Sequence, residues 1–180
     1  MKFPECFVKA HLESSFGGVE MSQTWQDLAL WEEFFNRAKV KSVVELGTFK
    51  GGMAMFLTLQ GIARDFLVVT IDHANHGAPK EQLEKLGTQV LSMDLLSEAT
   101  IEPMAELFAR LPKPLILFCD NGNKPLEWNR FVPLLSPGDF AAVHDWGSEF
   151  YEQNLDPTAE PFLREEAEQI ESMTRFFQIQ

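Results

Sequence analysis

The polar and apolar positions of the chain divide it into short apolar runs separated by longer amphipathic stretches. Five runs are predicted to be β-strands, and each has an acidic residue at its end or close by. Four of them are nearly continuous rather than alternating, which is typical of strands buried on both faces of a parallel sheet. The runs cover residues 42–46, 66–71, 88–93, 114–119 and 140–144.

The stretches between the runs have the spacing of helices. Apolar residues from Trp25 to Ala38 recur three and four positions apart, which predicts a helix with one buried face. Ser22 or Thr24 would cap this helix, and Asp27 follows Thr24 by three residues, as in a capping box. Further helices are predicted over 53–63, 79–86, 101–111, 125–135 and 160–173, with a final edge strand over 174–180.

Strands that alternate with helices predict an α/β protein. We expect a three-layer α/β/α architecture with a doubly wound, mostly parallel, Rossmann-like sheet. The 180 residues suit a single domain over 1–180, in which 1–21 form an N-terminal arm interrupted at Gly17-Gly18.

The composition narrows the function classes. The chain is 45% hydrophobic and has a formal net charge of −12, so nucleic-acid backbones and anionic membrane surfaces would repel it. No apolar run reaches the roughly 18 residues of a membrane span, and Pro4 and Glu5 interrupt any signal peptide. We therefore expect a cytoplasmic protein without nucleic-acid or membrane partners, in which Cys6 and Cys119 stay reduced.

The candidate chemistry lies where the strands end. Ligands of open α/β sheets bind beyond the carboxyl ends of the strands, and here five acids lie at those ends. Carboxylates grouped at one edge repel one another unless cations or hydroxyl donors meet them, so the pattern predicts a ligand site. The acids are Glu45, Asp72, Asp94, Asp120 and Asp145.

A glycine-rich loop follows the first strand and reads Glu45-Leu-Gly47-Thr48-Phe-Lys-Gly51-Gly52. Its glycines let the chain turn sharply and let a ligand approach the main chain, and the N–H groups that open the next helix suit a carboxylate. The spacing differs from the dinucleotide fingerprint, and no Gly-Lys-Ser/Thr follows as in a phosphate loop. The alternative is a tight turn whose glycines serve packing.

The next two strand ends offer contacts to a nucleoside. Asp72 could accept hydrogen bonds from both hydroxyls of a ribose, a contact that nicotinamide cofactors share. Met93 beside Asp94 fits an adenine face and its exocyclic amine. The alternatives are a loop acid at Asp72 and a core methionine next to a loop acid. His73 and His76 flank Asp72 without further ligands nearby in the sequence, which favours a plain loop.

Asp120 and Asp145 end strands that are predicted to be neighbours, so their carboxylates could converge on Mg²⁺. Such an ion would lower the pKa of a substrate hydroxyl. His144 and Lys124 are candidate bases beside them, although a lone histidine is more often structural and a lysine more often solvated. The alternative is that both acids only bond to loop backbone.

The residues at these positions resemble a known family. Residues 43–53, VVELGTFKGGM, resemble the first motif of class I S-adenosylmethionine-dependent methyltransferases. More narrowly, the chain resembles the cephalosporin hydroxylase-like family, whose fold is a methyltransferase fold. Residues 18–27, 118–120 and 135–145, which read GVEMSQTWQD, FCD and LSPGDFAAVHD, match that family's pattern, so the resemblance covers about residues 17–150.

The resemblance implies a sheet in the order 3-2-1-4-5 and a site for S-adenosylmethionine. Glu45 and Gly47 would line the methionine end of the cofactor, Asp72 the ribose and Asp94 the adenine, while Asp120 and Asp145 would be metal ligands, as in catechol-type O-methyltransferases. We assign the cofactor to Glu45, Gly47, Thr48, Gly51, Asp72, Met93, Asp94 and Asp120. The catalytic candidates are Lys124, His144 and Asp145.

The sequence departs from the family in three places. The family often has a histidine shortly after the fourth strand, whereas here Asp120 is followed by Asn-Gly-Asn-Lys124. Metal-dependent relatives often present Asp-Asn or Glu-Asp after the fifth strand, whereas here the pair is His144-Asp145, and histidine is a poor ligand for Mg²⁺. The final hairpin looks short, which would suit a second copy of the chain covering the sheet edge.

The function that these features predict is S-adenosylmethionine-dependent O-methylation of a small hydroxylated molecule, a sugar or a secondary metabolite, with or without a metal. Trp128, Trp146, Phe150 and Tyr151 could form an aromatic wall for it, or could be ordinary core and cap residues. The alternatives are a nicotinamide-dependent oxidoreductase and a non-catalytic binding or scaffold module of the same fold.

Overall fold

The structure is a computed structural model that describes residues 14–74 and 76–180, so Cys6 and most of the predicted N-terminal arm lie outside the described residues. The strands are β1 (Ser14–Phe16), β2 (Val19–Met21), β3 (Ser42–Leu46), β4 (Leu67–Asp72), β5 (Gln89–Ser92), β6 (Leu115–Cys119), β7 (Phe140–Val143), β8 (Ala159–Phe162) and β9 (Arg175–Ile179). The α-helices are α1 (Trp25–Arg37), α2 (Gly52–Arg64), α3 (Lys80–Lys85), α4 (Ile101–Arg110), α5 (Lys124–Phe131) and α6 (Arg164–Gln169).

A seven-stranded sheet in the order β5-β4-β3-β6-β7-β9-β8 forms the centre of the described chain. The five strands from β5 to β7 are parallel, and β9 pairs antiparallel with both β7 and β8. Counted from β3, the parallel part has the predicted order 3-2-1-4-5, so the predicted α/β class and the mostly parallel sheet are confirmed.

The C-terminal hairpin corrects two predictions. β9 is not an edge strand, because β8 lies outside it, and the helix predicted over 160–173 is confined to α6. The helix was predicted because this region is rich in charged residues that are common in helices. Pro161 instead lies in β8, at the edge of the sheet, where a strand tolerates a residue without an N–H group. The fold therefore has its closing hairpin, contrary to the short end expected from the sequence.

Alternate residues of each strand face two separate cores. Val43 joins the core under α1 and α2, whereas Val44 joins the core under α4 and α5. The first core is aromatic, since the Trp31 ring lies edge-on to Phe118 and Phe176 at centroid distances of 5.0 and 4.7 Å. Edge-to-face pairs at this separation add to the free energy gained by burial.

The helix predicted from Trp25 to Ala38 is confirmed as α1, with one difference in its buried face. Thr24 and Asp27 form the predicted capping box, and Leu28, Trp31 and Phe35 are buried. Trp25 is 39% exposed, because it occupies the first helical position and lies beyond the edge of the sheet core.

A short hairpin precedes α1 within the predicted N-terminal arm. β1 and β2 pair antiparallel across Gly17-Gly18, so this part of the arm is strand rather than helix. The hairpin packs on the start of α2, where a Cβ atom on Gly52 would lie 2.6 Å from Met21 Cβ and from the Val19 and Glu20 carbonyl oxygens. Among the described residues, no helix is long and apolar enough to cross a bilayer.

We expect Gly52→Ala to lower the free energy of unfolding by about 1–3 kcal/mol, because the added methyl group overpacks the contact between the hairpin and α2. Alanine is the better helix former, so any loss must come from this contact rather than from helix propensity. Urea denaturation measures the change. Gly122→Ala is the matched control, since nothing lies within 4 Å of its added Cβ, and a Gly52→Ala protein as stable as this control would contradict the packing.

Candidate functional site

A cavity of about 260 Å³ opens at the carboxyl ends of β3, β6 and β7, where ligands of open α/β sheets bind. Its walls come from the segment after β2, from the glycine loop after β3 and from the loops after β6 and β7. The residues that line it are Met21, Ser22, Gln23, Gly47, Thr48, Phe49, Gly51, Gly52, Met53, Asp72, His76, Asp120, Asn121, Gly122, Lys124, His144 and Asp145.

The glycine loop is where two chain segments approach most closely. Gly47 has φ +99°, and a Cβ atom there would lie 2.5 Å from the Asp120 carbonyl oxygen. Gly51 caps α2 in the left-handed region with φ +88°, and its position also leaves no room for a side chain beside Pro79. Only glycine satisfies both positions, so the loop brings bare main chain to the cavity wall.

Glu45 lies beneath the cavity rather than in its wall. Its carboxyl group is fully buried and accepts a hydrogen bond of 2.5 Å from the Thr70 hydroxyl, which is 2.6 Å from the Thr48 hydroxyl. Burial raises the pKa of Glu45 well above its ordinary value, and the Thr70 bond only partly opposes this. Glu45 therefore supports the loop through two threonines, and direct contact with a cofactor remains a prediction.

Asp72 lies at the boundary between this cavity and a second one of about 90 Å³ that extends toward the end of β5. Its Oδ2 accepts from the Phe49 N–H at 3.0 Å and its Oδ1 from the Ala74 N–H at 3.2 Å. Oδ2 can accept a second hydrogen bond from a ribose hydroxyl, whereas Oδ1 also lies 3.2 Å from Nδ1 of the exposed His73, which a second hydroxyl would have to displace. Thr48 is the other residue that both cavities share.

Met93 and Asp94, predicted to meet an adenine, line neither of these two cavities. The second cavity is formed instead by the preceding residues of β5, Val90, Leu91 and Ser92. The Asp94 carboxylate accepts a hydrogen bond of 3.0 Å from the Leu96 N–H. An adenine contact at these two residues stays a prediction.

Asp120, His144 and Asp145 converge at the floor of the first cavity, as their strand-end positions predict. His144 Nδ1 lies 3.3 Å from Asp120 Oδ1 and 3.3 Å from Asp145 Oδ1. Asp120 Oδ2 also accepts a hydrogen bond of 2.6 Å from the Gln23 amide, which comes from the segment before α1. The alternative, two acids that only bond to loop backbone, does not describe this cluster.

Lys124 is buried in this cluster, so the alternative of a solvated side chain does not describe this candidate. Its Nζ lies 2.5 Å from Asp145 Oδ2, 3.0 Å from Glu149 Oε2 and 4.0 Å from Asp120 Oδ1. Its whole residue is 6% exposed. Lys124 opens α5, and the strand β7 and the loop after it carry its acidic partners to it, a convergence that sequence spacing does not reveal.

Asp27 is a residue of this region to which the sequence analysis gave no role in the site. Its Oδ1 accepts hydrogen bonds of 2.6, 2.9 and 3.0 Å from the Ser172 hydroxyl and the Met173 and Thr174 N–H groups. Its Oδ2 accepts from the Thr24 N–H at 2.9 Å and lies 3.5 Å from His144 Nε2. The signals in the sequence were the capping box and the match of residues 18–27 to the family pattern.

The cluster fixes the charge of its cationic members. Burial alone would lower the pKa of His144, but Asp120, Asp145 and Asp27 outweigh it and raise that pKa well above its ordinary value. The pKa of Lys124 is likewise raised by Asp120 and Asp145 against the effect of burial. Both groups therefore hold their protons near neutral pH, and both serve better as hydrogen-bond donors than as bases.

Burial also raises the pKa of Asp120, which His144 and Lys124 only partly counter, while the pKa of Asp145 is lowered by His144 and Lys124 despite partial burial. The two carboxylates thus differ in proton affinity although both line the cavity. Such a separation of pKa values is a common feature of sites that move protons.

Glu127 stabilises the loop after β6, which follows Asp120 and lines the cavity. Its side chain is fully buried and accepts hydrogen bonds from the Asn121 N–H at 3.2 Å and the Asn123 N–H at 3.0 Å. Burial raises its pKa to about 7, with the two backbone bonds opposing the shift. The sequence analysis did not single out Glu127, because nothing distinguishes it from the exposed acids of other helices.

Two groups among the described residues have the composition of a metal site: Asp120 with His144 and Asp145, and Asp72 with His73 and His76. Mg²⁺ takes six oxygen ligands in near-octahedral geometry. The first group offers two carboxylates and an imidazole, and the Lys124 ammonium already contacts Asp145 at 2.5 Å. As arranged, these residues do not fit Mg²⁺, because a second cation at Asp145 would lie against the ammonium.

The predicted aromatic wall is not part of the cavity. Trp128 and Phe150 are fully buried core residues, Trp146 is partly buried and Tyr151 is 45% exposed. Their interpretation as core and cap residues is the one that the structure supports. Cys119 is buried in the core.

With these strands and loops in place, the chain has the Rossmann-like fold of class I methyltransferases. No family model and no curated protein matches it. A CmcI structure with S-adenosylhomocysteine is similar with TM-score 0.69 and 15% identity, covering 92% of this chain and 81% of that chain. A CmcI structure with Mg and S-adenosylmethionine has TM-score 0.61 and 22% identity, covering 74% of this chain and 58% of that chain.

A structure of the MycE methyltransferase of mycinamycin biosynthesis with Mg and S-adenosylhomocysteine has TM-score 0.54 and 12% identity, covering 84% of this chain and 47% of that chain. CmcI is cephalosporin hydroxylase-like, so the resemblance noted in the sequence is confirmed in the fold. At these identities the likeness concerns the fold, and this chain spans only about half the length of two of these structures.

We expect Asp27→Asn to lower the free energy of unfolding by about 3–5 kcal/mol at pH 5.5, because it removes the buried carboxylate that faces Nε2 of His144. The pKa of Asp27 is lowered by His144 against the effect of burial, so its contribution is present above about pH 4 and lost as pH falls. The raised pKa of His144 contributes stability that is complete below about pH 6.5 and lost at higher pH.

Denaturant melts between pH 3 and pH 9 test this, with Glu33→Gln on the exposed side of the same helix as control. The difference between wild type and Asp27→Asn should be largest between about pH 4 and pH 6.5. If the difference in stability between the two proteins does not change with pH, the negative charge of Asp27 does not contribute to it, and only its hydrogen bonds do.

We expect wild-type stability to fall by at most about 3 kcal/mol as pH rises from 5 to 8.5 because of Glu127, and the Glu127→Gln protein to lack this component. The sign follows from the raised pKa of about 7: the buried carboxyl is favourable when protonated, and its contribution is lost as pH rises through that value. Paired urea titrations of the two proteins measure it. Identical pH slopes would mean that Glu127 is ionised throughout.

Proposed function

We propose that this chain is an S-adenosylmethionine-dependent methyltransferase that acts on an oxygen of a small hydroxylated molecule. The observation that carries the proposal is the pair of cavities that meet at Thr48 and Asp72, at the carboxyl ends of parallel strands. A ligand of two unequal parts joined by a ribose suits this shape, since the ribose hydroxyls would lie at the Asp72 carboxylate.

The larger cavity suits the amino-acid end of such a cofactor. Gly47 and Gly51 leave the main chain bare there, and the N-terminus of α2, at Gly52 and Met53, lines the cavity, which favours a carboxylate. The smaller cavity, with Val90 and Leu91 in its wall, suits the base. The fold shared with CmcI and MycE, whose structures contain S-adenosylmethionine or its product, supports the same placement.

The acceptor end of the site is formed by Asp120, Asp145, His144 and Lys124. The bound cofactor would supply an electrophilic methyl group, and the hydroxyl that attacks it must lose a proton. Asp120 is the carboxylate best suited to take that proton, because burial raises its affinity for it. Lys124 and His144, which hold their protons, would donate hydrogen bonds to the acceptor oxygen or keep the carboxylates in place.

Holding the acceptor in line with the methyl group is the other contribution expected of the protein. Orientation of two bound reactants accounts for about 7–11 kcal/mol in favourable cases. Gln23, bonded to Asp120 at 2.6 Å, and Phe49, on the glycine loop, lie on either side of the cavity. We propose that the partner of this chain is a small-molecule substrate. We further propose that it acts in the cytoplasm.

We expect the purified protein to bind S-adenosylhomocysteine in a calorimetric titration, and Asp72→Ala to weaken this binding at least tenfold. A hydrogen bond to a charged group contributes about 1.5–3 kcal/mol, and the carboxylate would make one to each ribose hydroxyl. Asp72→Asn keeps the shape and should lie between the two. Glu81→Gln, an exposed acid on α3, is the matched control and should leave the affinity unchanged.

Two outcomes would contradict the proposal. Binding of NADH without binding of S-adenosylhomocysteine would favour the nicotinamide-dependent oxidoreductase. Binding of neither compound would leave a module that keeps the fold without the chemistry.

A further inference from the structure

We propose that the Lys124 ammonium is the resident cation of this site and takes the place of a divalent metal ion between Asp120 and Asp145. This inference rests on the proposed function in one respect: a role of Lys124 in catalysis requires that the chain is a methyltransferase. Its geometric basis, a buried lysine among converging carboxylates, is independent of the identity of the cofactor.

The position of the ammonium is that of a bridging cation. Nζ lies 2.5 Å from Asp145 Oδ2 and 4.0 Å from Asp120 Oδ1, so it is placed between the ends of two neighbouring parallel strands. Glu149 closes a third side at 3.0 Å. Two carboxylates within 3.0 Å engage two of the three N–H donors, which leaves one donor for an oxygen ligand in the cavity that Lys124 lines.

The local fold holds this lysine in place. Lys124 is the first residue of α5, directly after the Asn123 cap whose side chain accepts from the Leu126 N–H at 3.2 Å. Glu127, on the next turn, fixes the loop in front of it through the Asn121 and Asn123 N–H groups. The side chain therefore starts from a rigid point, and its 6% exposure leaves little room to swing into solvent.

A divalent ion would have to displace this ammonium. Two cations held at one carboxylate repel each other, and this repulsion is stronger in a buried site than in water. Nδ1 of His144 lies 3.3 Å from Asp120 Oδ1 and 3.3 Å from Asp145 Oδ1, so the imidazole already contacts one oxygen of each carboxylate that a metal ion would need. Removal of the lysine charge alone should therefore strengthen metal binding.

The experiment is a titration with Mn²⁺, followed by electron paramagnetic resonance, and with Mg²⁺, followed by calorimetry. Wild type, Lys124→Met and Lys124→Ala are each titrated as such and again with His73→Gln added, which removes a ligand from the group of Asp72, His73 and His76 so that binding there can be told apart. We expect wild type to bind Mn²⁺ with a Kd above about 1 mM and at least one lysine variant to bind it tenfold or more tightly. Adding Asp145→Asn to that variant should abolish the gain.

Lys85→Ala is the matched control, since it removes an exposed lysine that is paired only with Glu81. Stoichiometric binding of Mn²⁺ or Mg²⁺ to wild type below about 100 μM would overturn the inference, as would lysine variants that gain no affinity while remaining folded by circular dichroism. If both lysine variants unfold, the wild-type titration still decides. S-adenosylhomocysteine affinity, measured with and without EDTA, tests the proposed function separately, because its failure would leave the Mn²⁺ result intact.

Discussion

The ligand end of the sheet depends on one buried carboxylate. Asp27 belongs to the first turn of α1, yet its Oδ1 accepts three hydrogen bonds from residues 172–174, which lead into β9. A single group thus fastens the helix that precedes the parallel sheet to the hairpin that closes it. Removing a partner from a buried ion pair costs about 3–5 kcal/mol. The stability of the fold therefore depends on these contacts of Asp27.

The same carboxylate determines the state of the residues above it. Oδ2 of Asp27 lies behind His144, whose other nitrogen lies between Asp120 and Asp145. The imidazole therefore connects the anchor to the cavity floor, and it stays protonated because acids lie on both sides of it. Without this cation and Lys124, the carboxylates at this edge would repel one another in a poorly solvated space.

The parallel sheet and part of the site could be predicted from the sequence, because both depend on residues that are adjacent in the chain. Buried parallel strands are continuous apolar runs, so their limits and the acids that follow them could be located, including Asp120 and Asp145. Asp27 could be recognised as a cap, but not its contact with Ser172, 145 positions away. The burial of Lys124 could not be predicted either, because its partners Asp145 and Glu149 are distant in sequence and come close to it only when β7 pairs with β6.

Two departures from the family pattern become one feature in three dimensions. In the sequence, Lys124 and His144 are separate substitutions, one after the fourth strand and one after the fifth, and each weakens a metal site by itself. In the structure both contact Asp145, Lys124 Nζ at 2.5 Å and His144 Nδ1 at 3.3 Å, so two separate positions of the sequence meet at one carboxylate. Carboxylates that converge in a poorly solvated space need a cationic partner, and in the inference drawn above the Lys124 ammonium is that partner.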